Sequence, residues 1–139
     1  MRVLITGSRQ WTDQSKLYAT LDSLFRHWIE SGANMIDEET DFIVIHGNAP
    51  GADTLANQWT WDRRNLPISP SVEVHPADWS NNADVLAGHR RNFEMVQLGA
   101  DVVIGFLVPG AANRGTRNCL ELAKNWLTHR GTTIKEIWE

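Results

Sequence analysis

Short apolar runs alternate with longer amphipathic stretches along the chain. Five runs predict strands, because apolar residues cluster between turn residues: Val3–Ile5, Phe42–Ile45, Ser71–His75, Asp101–Val108 and Thr132–Ile137. Apolar residues at helical spacing predict four helices: Asp13–Ser31 with Gly32 as its stop, a helix that contains Ala52–Trp59, Gly88–Leu98, and Thr116–His129.

The alternation of strands and helices sets the fold class. Strands that alternate with helices of this length form βαβ units around a parallel sheet. We therefore expect an α/β fold, a Rossmann-like three-layer sandwich with a mainly parallel sheet of about five strands. The chain has no internal repeat and no long linker, so residues 1–139 are predicted to form one domain. Residues 76–87 are polar and irregular, which is typical of a loop or lid over a site.

Composition narrows the classes of function. The 139 residues carry a formal net charge of −4, which does not favour binding to the phosphates of nucleic acid. Cys119 is the single cysteine, so no disulfide forms within the chain, and the five histidines lack the paired spacing of a metal site. We expect no metal and no required cofactor. No apolar run approaches the length that spans a bilayer, so we expect a cytoplasmic protein with no membrane partner.

Tryptophan is unusually frequent for a chain of this length, with seven residues. Most of them are predicted to fill the core or an interface between subunits. The excess therefore favours a homo-oligomer, a dimer or larger.

Candidate chemistry concentrates in the turns that follow the predicted strands, because open α/β sheets bind ligands beyond the carboxyl ends of their strands. Gly7, Ser8 and Arg9 follow the first strand. The glycine permits close approach of the backbone, the hydroxyl donates a hydrogen bond, and the guanidinium binds phosphate or carboxylate. A plain tight turn is the alternative. The spacing is not Gly-x-Gly-x-x-Gly, so NAD is not indicated.

Two glycines bracket the turn after the second strand, His46–Asp53, which leads into a helix. Free N–H groups at a helix start bind anions. Asp53 either caps this helix or accepts a hydrogen bond from a ribose hydroxyl. The candidate ligand contacts in this turn are Gly47, Asn48, Gly51, Ala52 and Asp53.

The predicted third helix opens with Arg90, Arg91 and Asn92. The helix dipole does not favour cations at a helix start, so a phosphate ligand is a reason for their presence. Adjacent arginines point in different directions, and we expect one of the two to reach the site. His89 is a weaker candidate.

The turn after the fourth strand leads to Arg114, Gly115 and Thr116. It supplies backbone N–H groups, a hydroxyl and the positive end of a helix dipole, all of which suit phosphate. The Gly-Lys-Ser/Thr triplet of a Walker A loop is missing. A glycine-rich turn with Thr116 as its cap is the alternative.

At these positions the chain resembles the SLOG superfamily, which includes the Smf/DprA and Lonely-guy proteins, and within it the YspA/YpsA-related branch. The resemblance implies a Rossmann-like fold that binds a phosphorylated nucleoside or another nucleotide-derived ligand. Members act as enzymes, as sensors or as single-stranded DNA binders. The matching segments are Gly-Ser-Arg (Gly7–Arg9), His-Gly-Asn-Ala-Pro-Gly-Ala-Asp (His46–Asp53), Pro-Ala-Asp-Trp (Pro76–Trp79), Arg91-Asn92 followed by Met95, and Arg-Gly-Thr (Arg114–Thr116).

Lonely-guy enzymes cleave the N-glycosidic bond of nucleoside monophosphates with the motif Pro-Gly-Gly-x-Gly-Thr-x-x-Glu and an earlier arginine. Gly115 and Thr116 match the Gly-Thr pair, and Arg91 matches the arginine. Cys119 stands where the motif has its glutamate, and Glu121 lies two residues further on.

Three functions are therefore open. The first is binding or sensing of a nucleotide. The second is hydrolysis or transfer at the N-glycosidic bond of a nucleoside monophosphate, with Asp53, Arg91 and Glu121 as candidate catalytic residues. The third is DprA-like binding of single-stranded nucleic acid, with bases stacked on Trp11 and Trp79; the acidic balance opposes it.

Overall fold

The computed structural model describes residues 1–32, 41–81 and 83–139, and in these residues five strands alternate with four helices. The predicted elements are confirmed, and only their ends differ. The strands are β1 (Arg2–Gly7), β2 (Ile43–His46), β3 (Ser71–Val74), β4 (Val102–Leu107) and β5 (Thr133–Trp138). The helices are α1 (Gln14–Glu30), α2 (Ala52–Asp62), α3 (Ala87–Leu98) and α4 (Arg114–Leu127), the last followed by a short 3₁₀ turn, Thr128–Arg130.

The helix ends follow local signals. Asp13 caps α1 by accepting a hydrogen bond from the amide of Lys16 at 2.9 Å, and Gly32 ends the helix with a φ of 74°, as predicted. Asn113 is the N-cap of α4, so the alternative interpretation of Thr116 as the cap is wrong. Asn113 has a φ of 53°, which asparagine tolerates, and this turns the chain into the helix earlier. In the described part of the chain, no helix is long and apolar enough to cross a membrane.

The described strands form a parallel sheet with the order β3-β2-β1-β4-β5. The chain builds from β1 to one edge, returns to the other side of β1, and then adds β4 and β5. This reversal leaves a crevice beyond the carboxyl ends of β1 and β4, where open α/β sheets bind their ligands. The predicted α/β fold class with a Rossmann-like three-layer arrangement is confirmed.

Apolar side chains pack on both faces of the sheet. Alternate residues of β1 point to opposite sides: Val3 and Ile5 pack in the layer that contains α1 and α2, whereas Leu4 packs in the layer that contains α3 and α4. All six residues of β4 are buried, as a continuous apolar run in a parallel sheet predicts. The central strands are therefore rigid supports for the turns that follow them.

The tryptophans divide between the core and the surface. Three of the seven fill the core of the chain, and a place for the other four at an interface between subunits stays a prediction. Trp11, Trp28 and Trp59 are at most 3% exposed, whereas Trp61, Trp79, Trp126 and Trp138 are 42–59% exposed.

Candidate functional site

A cavity of about 400 Å³ opens at the crevice between β1 and β4. Its volume lies in the range of small-molecule sites. Its walls come from the turns after β1, β2 and β4, from the segment before α3 and from α3 itself. The described lining residues are residues 5–10, Ala49, Asp53, Trp79, Val85, Gly88, His89, Arg91, Asn92, Met95 and residues 111–116.

Asp53 lines this cavity although it is only 4% exposed. Its Oδ2 accepts hydrogen bonds from the amides of Gly47 at 3.1 Å and Ala49 at 3.2 Å, so the carboxylate holds the turn after β2 instead of capping its own helix. Its Oδ1 is buried and has no hydrogen-bond partner among the described residues. Burial raises the pKa of Asp53, against the opposing effects of the amide donors and of the charge on Arg91. An unpaired buried oxygen costs free energy, which a donor on a ligand would recover.

His46 shapes the same turn from inside the protein. It is fully buried, and its Nδ1 accepts a hydrogen bond from the amide of Asn48 at 3.0 Å. Its Nε2 therefore carries the proton and donates to Oδ1 of Asn57 at 2.9 Å. Asn48 itself takes a φ of 58° and points away from the cavity lining. His46 and Asn48 are thus supports of the turn.

Arg91 reaches from α3 to the turn after β2. Its Nη1 donates to the carbonyl oxygen of Gly47 and, at 3.4 Å, to that of His75. Its Nε donates to Oδ1 of Asn92 at 2.9 Å. Nη2 has no partner in the part of the chain that the structure describes. Protein atoms thus hold the guanidinium at the cavity, and one nitrogen is left for a ligand.

Of the two adjacent arginines, the structure brings only Arg91 to the cavity. Arg90 lies outside the lining, where its Nη1 pairs with Asp84 at 2.7 Å. Asn92 is buried, and its Nδ2 donates to the carbonyl oxygen of Gly115 at 3.2 Å and to Asn118 at 2.9 Å. Asn92 therefore joins α3 to the start of α4.

Three of the predicted glycines approach protein atoms. An added Cβ would collide with neighbours within the fold, so these glycines permit close packing of β1, the turn after β2 and α3. The colliding partners are Ala52 at Gly7, the Arg91 guanidinium at Gly47 and the Ser8 carbonyl at Gly51. Gly115 differs, because an added Cβ would meet no protein atom within 4 Å while the residue lines the cavity.

The turn between β4 and α4 leaves the start of the helix uncapped. Asn113 uses its side chain within the turn: its Oδ1 accepts from the Val108 amide at 3.2 Å, and its Nδ2 donates to the carbonyls of Val108 and Ala111 at 3.0 Å. No side chain of the described residues caps α4. The first amides of the helix, at Arg114, Gly115 and Thr116, are therefore available at the cavity.

The turn after β1 contributes one fixed and one free side chain. The amide of Ser8 donates to the carbonyl of Phe106 at 2.8 Å, and its own carbonyl accepts from Ala52 at 3.2 Å, so Ser8 ties β1 to β4 and α2. Arg9 is exposed at the cavity, and so is Arg114 on the other side. Neither guanidinium has a hydrogen bond or ion pair with a described residue. Both arginines are free to meet an anion.

Cys119 occupies the position of the Lonely-guy glutamate, and it is fully buried. Burial raises the pKa of its thiol to about 12, with a hydrogen bond to Thr6 acting in the opposite direction. A thiol with this pKa is neither charged nor nucleophilic at neutral pH. Glu121 is exposed and lies outside the cavity lining. Of the candidate carboxylates, the structure therefore brings only Asp53 to the cavity.

Other predicted contacts stay outside the lining, and several lining residues were missed. Gly47, Asn48, Gly51 and Ala52 support the turn after β2 without facing the cavity. Thr6 was missed because a buried position in a strand carries no functional signal, and Met95 was identified only as part of a matching segment. The signal at Asn113 was available: an asparagine among small residues before a helix is typical of a left-handed turn. The predicted loop at 76–87 contributes Trp79 and Val85; Asn82 lies outside the described residues.

No group of three or more His, Cys, Asp or Glu residues suited to a metal is found within residues 1–32, 41–81 and 83–139. That finding covers only those residues, and the sequence-based expectation of no metal stays a prediction. The polar groups at the cavity are hydrogen-bond donors, guanidinium groups and one carboxylate. This set suits an organic anion that also carries hydroxyl groups.

The chain is similar to known proteins. The sequence model of the YspA, cpYpsA-related SLOG family matches residues 1–81, a range that runs from β1 to the segment containing Trp79. The chain is also similar to the Gene 61 protein of Mycobacterium phage D29, with 39% identity over 124 residues and 88% of each chain covered. No solved structure matches the chain.

Proposed function

We infer that this chain, which belongs to the YspA, cpYpsA-related SLOG family, binds a nucleotide or a related nucleoside phosphate in the cavity between β1 and β4. One observation carries the proposal. Asp53 presents a buried oxygen with no donor among the described residues, in the same cavity as the uncapped start of α4. The oxygen lacks a hydrogen-bond donor, which a hydroxyl group would supply, and the helix start attracts an anion. A ribose phosphate carries both groups.

The phosphate lies at the start of α4 in this proposal. The free amides of Gly115 and Thr116 and the positive end of the helix dipole attract an anion. Arg114 and Arg9 stand at the cavity without a protein partner among the described residues, so each is free to form a charge-assisted hydrogen bond to a phosphate oxygen.

The sugar lies beside the turn after β2. A ribose hydroxyl donates to Oδ1 of Asp53, and the free Nη2 of Arg91 donates to a sugar or phosphate oxygen. The bonds that Asp53 and Arg91 make to the backbone of the turn keep both groups in place before the ligand arrives. Such preorganisation lowers the ordering cost of binding.

Nucleotide binding is tested by native mass spectrometry of the purified protein, followed by thermal unfolding with AMP, GMP, CMP, UMP and ribose 5-phosphate. A ligand that binds the native state raises the Tm. Arg9→Gln and Arg114→Gln should each weaken nucleotide binding by about 1.5–3 kcal/mol and leave binding of the free nucleoside unchanged. Arg130→Gln, an exposed change outside the cavity, is the matched control. A Tm unmoved by all five compounds, with no co-purified ligand, contradicts the proposal.

Hydrolysis of the N-glycosidic bond is the second candidate, and the position of Asp53 is the observation that favours it. Asp53 lines the cavity and has one unpaired oxygen, and a carboxylate next to the anomeric carbon stabilises an oxocarbenium-like transition state. Incubation with nucleoside monophosphates should then release free base. Asp53→Asn should abolish the release and retain binding. No base above the level of that variant, across the four common bases, excludes this activity.

We also propose a cytoplasmic homo-oligomer that acts without a nucleic acid or membrane partner. Phe93 on α3 and Trp126 on α4 are exposed and meet edge to face with ring centroids 6.0 Å apart, which supports an apolar contact between subunits. The acidic net charge opposes nucleic acid. Native mass spectrometry counts the subunits in the same measurement that detects the ligand.

A further inference from the structure

We propose that Trp79 recognises the base of the ligand: the planar aromatic ring of the base stacks on the Trp79 indole at the mouth of the cavity. This inference rests on the proposed function, because it assigns a contact to the base, the part of the nucleotide that the phosphate and sugar sites do not bind. It makes Trp79 a specificity-determining residue for the base of the ligand.

The position of Trp79 is unusual for a tryptophan. The side chain is 54% exposed and yet lines the cavity, because it projects from the segment between β3 and α3 over the start of α3. Its Cζ2 and Cη2 lie 3.8 Å and 3.4 Å from the point that a Cβ on Gly88 would occupy. At these distances even a Cβ on Gly88 would make an ordinary van der Waals contact with the indole, so the edge of the ring lies beside the start of α3.

Trp79 also differs from the other exposed tryptophans in its partners. Each of the other three has a ring or a guanidinium against it: Trp61 lies 4.0 Å from Arg64, Trp126 lies 6.0 Å from Phe93, and Trp138 lies 5.9 Å from Arg117. Within the described residues, Trp79 has no such ring or cation partner. Its aromatic face is available to a ligand, and aromatic faces are the surfaces on which bases stack.

The segment that carries Trp79 begins at β3, which lies beyond β2, the strand that precedes Asp53, as counted from β4. The strand ends of β3 and β4 are three inter-strand spacings apart, about 14 Å, with β2 and β1 between them. The proposed phosphate site follows β4, and Asp53 follows β2. A ligand that runs from the phosphate site past Asp53 therefore extends towards the segment after β3, which carries Trp79. The exposed side chain of Val85 adds apolar surface on that side.

Binding measurements on two kinds of probe test the stacking. Isothermal titration with the nucleoside monophosphate that binds most tightly and with ribose 5-phosphate is carried out on the wild type and on Trp79→Ala. We expect Trp79→Ala to weaken the nucleotide by roughly 5- to 150-fold and to leave ribose 5-phosphate within about twofold. Trp79→Phe should retain most of the nucleotide affinity, because it keeps an aromatic face. The emission quenching that a stacked base causes should be lost in Trp79→Phe while binding persists.

Trp61→Ala is the matched control, since Trp61 is equally exposed and lies outside the cavity lining. It should leave both affinities unchanged. Equal losses for the nucleotide and ribose 5-phosphate in Trp79→Ala, or no loss for the nucleotide, overturn the role of Trp79 while nucleotide binding itself stands. If neither probe binds the wild-type protein, the proposed function fails, and the role of Trp79 fails with it.

Discussion

The two oxygens of the Asp53 carboxylate differ in their hydrogen bonds. Oδ2 accepts two amides of the turn after β2, whereas Oδ1 is buried without a partner among the described residues. The sequence placed Asp53 in a first helical turn, where helix capping was an equal interpretation. Periodicity and composition do not show which way a side chain rotates, so the use of each oxygen is visible only in the structure.

We predict that Asp53→Asn changes how stability depends on pH. Burial raises the pKa of Asp53 above 3.8, so the folded protein binds this proton more tightly than the unfolded chain does. Protonation therefore stabilises the native state; this contribution is full below the unfolded pKa and is lost as the pH rises through the raised folded pKa. Asparagine keeps an acceptor for the two amides and does not titrate. Relative to the wild type, the variant should gain free energy of unfolding as the pH rises from about 4 to about 8.

Urea unfolding of the ligand-free proteins, at constant ionic strength across this pH range, checks the prediction. Asp41→Asn is the control, because the side chain of Asp41 is exposed. A difference between Asp53→Asn and the wild type that does not vary with pH would mean that the Asp53 carboxyl is solvated in the native state.

Arg91 and the glycines also have partners in the structure that the sequence does not predict. The sequence identified Arg91 as a phosphate ligand and three glycines as points of ligand approach. In the structure, two nitrogens of Arg91 bind protein oxygens, and Gly47 is a glycine because Arg91 passes over it. A residue type predicts which chemistry is available. Its partner depends on contacts between segments that are distant in sequence.

The start of α4 is the element on which the proposed phosphate site depends. Asn113 holds the preceding turn with three hydrogen bonds to the backbone, and no side chain occupies the helix amides. The sequence predicted this helix and its glycine-rich turn from local signals. It did not identify Asn113 as the N-cap, because the left-handed conformation of this residue is stabilised by contacts inside the turn.

We predict that Gly115→Ala raises stability and lowers ligand affinity. Alanine is favoured over glycine in a helix, and the added Cβ meets no protein atom, so the free energy of unfolding should rise by up to about 1 kcal/mol. The same methyl group projects where a phosphate approaches the amides, so nucleotide binding should weaken about tenfold or more. Thermal unfolding and isothermal titration measure the two effects.

Asn125→Ala, on the exposed side of the same helix, serves as the control, because it raises helix propensity away from the cavity. It should raise the Tm without a change in affinity. A Gly115→Ala protein that binds its nucleotide as tightly as the wild type would show that the phosphate does not approach this turn.

At the scale of the whole molecule, the sequence predicts the elements of the fold but not their order in the sheet. Each described strand and helix was predictable from local signals. Burial imposes a pattern on the helices and on β1, β2 and β4, whereas apolar and β-branched residues between turn residues indicate β3 and β5, which have no buried residue. The order β3-β2-β1-β4-β5 was not predictable, since it depends on the side of β1 to which the chain returns after β3. That single choice brings the turns after β1 and β4 together and so determines which candidate residues share a cavity.

The same topology assigns the two sides of the cavity to different parts of the chain. The turns after β1 and β2 belong to the part before α3, and the turn after β4 belongs to the part that follows it. A ligand bound at both would bridge the seam where β1 meets β4 and act as a removable brace between two halves of the sheet. The free energy of local opening between the two halves, and with it resistance to proteases that cut within residues 76–86, would then depend on the ligand concentration.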